Sequence, residues 1–158
     1  MKYLLISIML LGSLCLGMSS CDKGEETVVV VDSENGNTGN PIGSKMKITV
    51  GTTVFTATLN NNASATALKA MLPLSIKMED LNSNEKFFPF PRTLPTSASA
   101  VGNIQVGDLM LYGNNCLVLF YKGFNTSYSY TRLGKIDNVT GLIAELGSGD
   151  VNVKFELQ

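Results

Sequence analysis

Gly107 to Asp137 reads GDLMLYGNNCLVLFYKGFNTSYSYTRLGKID. Three β-rich runs stand in it, "GDLMLYG", "CLVLFYK" and "YTRLGKID", parted by short stretches of Gly, Asn and Ser. Such polar, glycine-bearing breaks between apolar runs mark turns. The middle run, Leu117 to Tyr121, is apolar without alternation, so it predicts a strand covered on both faces at the centre of a sheet. Cys116 opens that strand, and Tyr128 and Tyr130, two apart, share one face of the next.

The flanks extend the pattern. Upstream, "MKITVGTTVFTATL" (Met46–Leu59) places two β-rich runs around Gly51-Thr52, a hairpin with a tight turn. Asn62 is placed to cap a short helix through "ASATALKAM", and Pro73 stops it. "LPLSIKMEDL" alternates Leu74, Ile76 and Met78 inward with Ser75, Lys77 and Glu79 outward, a half-buried strand. "NSNEK" reads as a turn, "FFPFP" as a proline-broken segment, and Thr93 to Val106 as a long polar loop. Downstream, "NVTGLIAEL" gives a second short helix. "DVNVKFEL" closes the chain with Val151, Val153, Phe155 and Leu157 on one face. About eight strands with two short helices predict a closed barrel, which removes exposed sheet edges.

The N-terminal end is of another kind. Met1-Lys2 precedes the apolar run "YLLISIMLLGSLCLGM" and then "SSCDKGEE", the layout of a secretory signal over residues 1–20. Met18-Ser19-Ser20-Cys21 looks like a bacterial lipobox, with small side chains before the cysteine that accepts lipid. Acyl chains on Cys21 would contribute about 0.8 kcal/mol per buried methylene, enough for several chains to hold a membrane. Cys15, preceded by bulky Leu14, suits that role less well. Of three cysteines in the chain, only Cys116 then remains free in the body, so no intrachain disulfide is expected.

Residues 21–45 read as an acidic, polar tether, with five carboxylates and two lysines from Asp22 to Lys45. Its island Val28–Val31 either adds an edge strand or stays extended. The acids after Cys21 resemble export signals of surface lipoproteins in Bacteroidetes-type bacteria. The expected address is therefore the cell envelope, lipid-anchored at the outer membrane, with exposure at the cell surface left open. From Met46 to Gln158 nine basic and eight acidic residues nearly balance, with no basic patch expected of a nucleic-acid binder.

The chain has no histidine and no tryptophan, so a Ser-His or Cys-His couple and a histidine-built zinc site are excluded. The carboxylates are scattered, and adjacent Glu79 and Asp80 point to opposite faces of a strand. Gly147-Ser148-Gly149-Asp150 is a turn entering the last strand, not a phosphate loop entering a helix. Neither a metal nor an organic cofactor is expected. Cys116 without a base reads as a small buried hydrophobe.

The quoted stretch, with "LPLSIKMEDLNSNEK" before it and "ELGSGDVNVKFE" after it, strongly resembles the bacterial cyclophilin-like domain across Met46 to Gln158. That resemblance implies a cyclophilin-like closed eight-stranded barrel with two helices, mostly β. Cyclophilins isomerise X-Pro bonds with an arginine beside an apolar groove. "FPRTLP" (Phe90–Pro95) is similar to the cyclophilin stretch Phe-His-Arg-Ile-Ile-Pro, which implies Arg92 in the catalytic role and Phe90 nearby. "LGKI" (Leu133–Ile136) matches Phe-Gly-Lys-Val. Counting back from it puts Asn125 where cyclophilins have the groove tryptophan and Tyr130 where they have the groove histidine. These departures favour a non-catalytic module that binds a peptide or small ligand. A weak peptidyl-prolyl isomerase and a structural subunit of an envelope complex are the alternatives.

Overall fold

The structure is a computed structural model that describes residues 43–158. The signal segment, Cys21, the Val28–Val31 island and nearly all of the tether lie outside the described residues. The strands are β1 (Lys45–Val50), β2 (Thr53–Leu59), β3 (Leu74–Leu81), β4 (Glu85–Pro89), β5 (Ser99–Ile104), β6 (Asp108–Tyr112), β7 (Cys116–Phe120), β8 (Phe124–Ile136) and β9 (Val151–Leu157). Helix α1 is Ala63–Lys69 and helix α2 is Leu142–Leu146.

All strand pairings are antiparallel. The order β2-β1-β9-β3-β4-β7-β6-β8 closes on itself through β2–β8, giving a ring of eight strands, with β5 attached to β8 outside it. The alternation read in β3 holds: Ile76 and Met78 are buried in the ring interior, facing Val153 and Val151 of β9. Gly51 turns the β1–β2 hairpin at φ +59°. The Asn62 side chain accepts a hydrogen bond from Ala65 N at 2.8 Å and its Nδ2 donates to Arg132 O, so one residue caps α1 and ties it to β8.

Gly134, in the "LGKI" element, explains how the ring closes. It pairs with Leu59 at the β2–β8 seam. A Cβ built there would lie 2.6 Å from Thr58 O and 3.1 Å from Leu59 Cα. Two backbones can meet this closely only where no side chain intervenes. Gly134→Ala should therefore cost about 1–3 kcal/mol in chemical denaturation. A loss below roughly 0.5 kcal/mol, the range of neutral surface changes, would show that the seam opens freely.

Three sequence expectations need correction. "FFPFP" is not a break: Phe87 to Pro89 continue β4, which already starts at Glu85. Pro89 is the strand's last residue, where a missing N–H is tolerated. The expected loop Thr93–Val106 contains β5, whose small, exposed residues bury only Ile104 and pair only with β8. And the run read as "YTRLGKID" is longer: β8 spans thirteen residues from Phe124, so "FNTSYS" belongs to it too.

The length of β8 shapes the molecule. Its register against β6 shifts between Leu109↔Gly134 and Met110↔Arg132. This bulge lets Leu133 and Ile136, three apart, both join the interior. N-terminal to it, β8 pairs with β5, and the two strands cover the outside of β6 and β7. The result is two apolar clusters. Leu117 and Leu119 of β7 face the ring interior; Val118 and Phe120 pack outside it with Met110, Ile104 and Tyr130. The unbroken apolar run of β7 thus has both faces covered, as its sequence requires.

One end of the ring holds a buried charge. Lys86 has 0% exposure. Its ammonium donates to Asp80 Oδ2, to Gly147 O at 3.1 Å and to Gly149 O at 2.6 Å. Tyr121 donates its hydroxyl to the same Asp80 oxygen at 2.8 Å, and its ring lies 5.0 Å from the Lys86 nitrogen. All three ammonium donors are thereby used, and they fasten β3 and β4 to the turn between α2 and β9.

Candidate functional site

Two hollows stand out among the described residues. The larger, about 500 Å³, lies between Leu59, Asn61, α1 and Leu157. Its one ionisable side chain, Lys69, is already bonded to Ser44 Oγ at 2.7 Å. The second, about 340 Å³, lies outside the ring and carries the chemistry.

This groove is built from the alternation of β4. Lys86 and Phe88 point into the ring, so Glu85 and Phe87 point out. Phe87 lies opposite Val118 of β7, and Glu85 opposite Phe120. Cys116 and Val118 form the floor. Tyr112 comes from the end of β6, and Phe124, Tyr128 and Tyr130 come from the arm of β8. The rings contact edge-on or tilted: Tyr112 to Tyr130 at 5.5 Å, Tyr112 to Tyr128 at 6.1 Å, and Phe120 to both Phe124 and Tyr130 at 5.7 and 5.5 Å. Such arrangements suit the ring quadrupoles. Tyr128 and Tyr112, 61% and 46% exposed, form the open lip. The β3–β4 turn forms the opposite rim, with Asn82 and Ser83 both left-handed at φ +53° and +55°.

Glu85 is the unusual member. It is 8% exposed, and it has no hydrogen-bond or ion-pair partner among the described residues. No lysine or arginine lines the groove. Burial alone pushes its carboxyl up to about 7. Its influence reaches its neighbours. Burial, with Glu85 second, raises the Tyr130 hydroxyl to about 12, and the same two causes push the Cys116 thiol upward. Asn84 Oδ1, in the same lining, is a buried acceptor without a donor among the described residues.

The residues singled out in the sequence fall in different places. Tyr130 lines the groove. Phe90 is buried in the ring interior beside Phe88, held by Asn115, whose Nδ2 donates to Phe90 O at 3.0 Å. Arg92 is exposed and outside both hollows. Asn125 is exposed on the β8 arm, accepting from Asn103 Nδ2 at 2.7 Å. The structure therefore does not bring these four together. Cys116, expected to be buried, is half-buried and lines the groove.

Sequence patterns do not single out Glu85, Asn84, Tyr112 or Phe124. A signal exists nonetheless: "EKFFPF" taken as a strand sets Glu85 and Phe87 on one face, a carboxylate next to an aromatic. Reading "NSNEK" as a turn conceals it. No group of three or more Cys, Asp or Glu side chains suited to a metal ion occurs among the described residues.

A family model described as the cyclophilin-like family matches residues 48–156. Among solved structures, the chain is similar to the solution structure of the hypothetical protein AF2241 from Archaeoglobus fulgidus. The identity is 13% and the TM-score 0.50, over 77% of this chain and 100% of that one. At that identity the likeness concerns the fold alone. No match was found among curated proteins.

Proposed function

This chain belongs to the cyclophilin-like family, and on that premise we propose that it is a non-catalytic binding module whose ligand seat is the groove around Glu85. The observation that carries this reading is the unpartnered Glu85 carboxyl in an aromatic-lined hollow. A buried carboxyl without a partner lowers stability. Its place in a concave apolar groove of small-molecule size is the usual setting of a ligand site. Glu85 is the sole carboxylate of the lining, so the groove lacks the paired acids of glycoside hydrolysis. A fold by itself carries no activity with it; function lies in the site.

The test is a fragment screen followed by backbone and side-chain NMR shifts. Binding fragments should move Cys116, Tyr128 and Tyr130 and leave Arg92 unmoved. Shifts clustered on Arg92 instead would displace the reading. So would catalysed cis/trans exchange of a proline peptide that disappears in Arg92→Ala, since that is isomerase behaviour.

The same reading places the module on a lipid tether through Cys21, supported by Met18-Ser19-Ser20-Cys21 and the acidic, glycine-rich stretch after it. Labelling of cells with radioactive palmitate should tag the wild-type protein and not Cys21→Ser. Label retained in the variant would remove the anchor.

A further inference from the structure

We infer that the groove takes a small primary amine with an apolar or aromatic body, held by its ammonium at Glu85. This rests on the groove being the ligand seat and names the class of ligand. Three observations converge. The lining contains one carboxylate and no basic side chain, so its complement is a cation. A ligand ammonium would supply the counter-charge that the protein itself does not provide. Asn84, in the same lining, has a side-chain oxygen without a donor among the described residues, an acceptor that a turn of the side chain toward the groove would present to an N–H. The Tyr130 hydroxyl likewise has no hydrogen-bond partner among the described residues. A primary ammonium brings three donors; a quaternary one brings none.

The rings complete the match. Phe87, Tyr112, Tyr128 and Tyr130 line the same hollow as the carboxyl, and cations are attracted to aromatic faces. Phe124, Val118 and Cys116 supply apolar wall for the body of the ligand. A hollow of about 340 Å³ sits at the lower end of small-molecule sites and suits a free amine with one ring. An anionic ligand would meet Glu85 with no basic residue to offset it.

The experiment uses phenethylamine, its N,N,N-trimethyl derivative and neutral 2-phenylethanol as probes, with NMR shift titration of the protein. Phenethylamine should move Cys116, Tyr128 and Tyr130. The alcohol should bind at least about tenfold more weakly, as expected for loss of one charge-assisted contact, and the trimethyl probe several-fold more weakly. Glu85→Gln should reduce amine affinity about tenfold and leave the alcohol unchanged. Tyr128→Ala, at an exposed site that tolerates truncation, should weaken the amine about threefold through the lost ring. If the alcohol binds as tightly as the amine with the same groove shifts, the ligand class falls while the binding-module reading stands. If the trimethyl probe matches the amine, the requirement for N–H donors falls. If none of the probes, nor the fragments of the wider screen, moves groove resonances, both readings fall.

Discussion

Glu85→Gln should make the protein more stable, not less, above neutral pH. The carboxyl lies near 4.5 when unfolded and is pushed up to about 7 in the fold by burial. Between those values the folded state holds a proton that the unfolded state has released. Wild-type stability must therefore fall as pH rises from about 4.5 to about 7, and stay low beyond it. A tenfold change in proton affinity corresponds to about 1.4 kcal/mol, so the shift from 4.5 to about 7 bounds the penalty at about 3.5 kcal/mol. Glutamine keeps the shape and carries no charge. The facing titratable groups, Cys116 of β7 and Tyr130 of β8, are themselves pushed upward, away from this window. Urea denaturation at pH 4 and pH 8 is the measurement. The variant and wild type should nearly coincide at pH 4 and separate at pH 8. Parallel curves at both pH values would mean that Glu85 is solvated or paired, and the proposed ligand seat would lose its main support. Stabilising replacements are common at ordinary positions too, so the result bears on function only together with the place of Glu85 in the groove.

Lys86→Met should have the opposite effect and a larger one. The methionine fills similar volume but leaves Asp80 without its cation and the carbonyls of Gly147 and Gly149 without a donor. Breaking a buried pair from one side costs about 3–5 kcal/mol, which at this size lowers the Tm by roughly 10–20 °C. The Lys86 hydrogen bond holds the Asp80 carboxyl below its ordinary value, with Tyr121 adding to the effect. That contribution is present above the unfolded value near 3.8 and is lost as pH falls below it. The gap between wild type and Lys86→Met should accordingly narrow at the most acidic pH. The double variant Lys86→Met with Asp80→Leu removes both charges and should recover part of the loss, because the orphaned carboxylate is gone. A single-variant cost under about 1 kcal/mol, the scale of an exposed pair, would show that water reaches this end of the ring.

Adjacent residues on β4 thus do opposite things. Lys86 points into the ring and finds every partner it needs; Glu85 points outward and finds none. One residue's step along a strand separates a structural charge from a functional candidate, because successive side chains face opposite sides of the sheet.

How much of this was legible along the chain depends on distance. Local patterns were readable because their causes are local. The alternation of Leu74, Ile76 and Met78 follows from strand pleat, the Asn62 cap from an orphan N–H within one turn, and the Gly51 turn from glycine's freedom at positive φ. The apolar run Leu117–Tyr121 announced a strand covered on both faces without saying by what. The cover is the β8 arm with β5, and β5 is nearly silent in sequence since it buries only Ile104. The groove depends on that arm. Glu85 becomes a buried, unpartnered acid only when Phe124, Tyr128 and Tyr130 are laid across β7 from some forty residues further along the chain. Composition and periodicity decide which residues alternate and turn. Which apolar face looks inward, which strand closes on which, and which carboxyl is left without a partner are settled by contacts between distant segments.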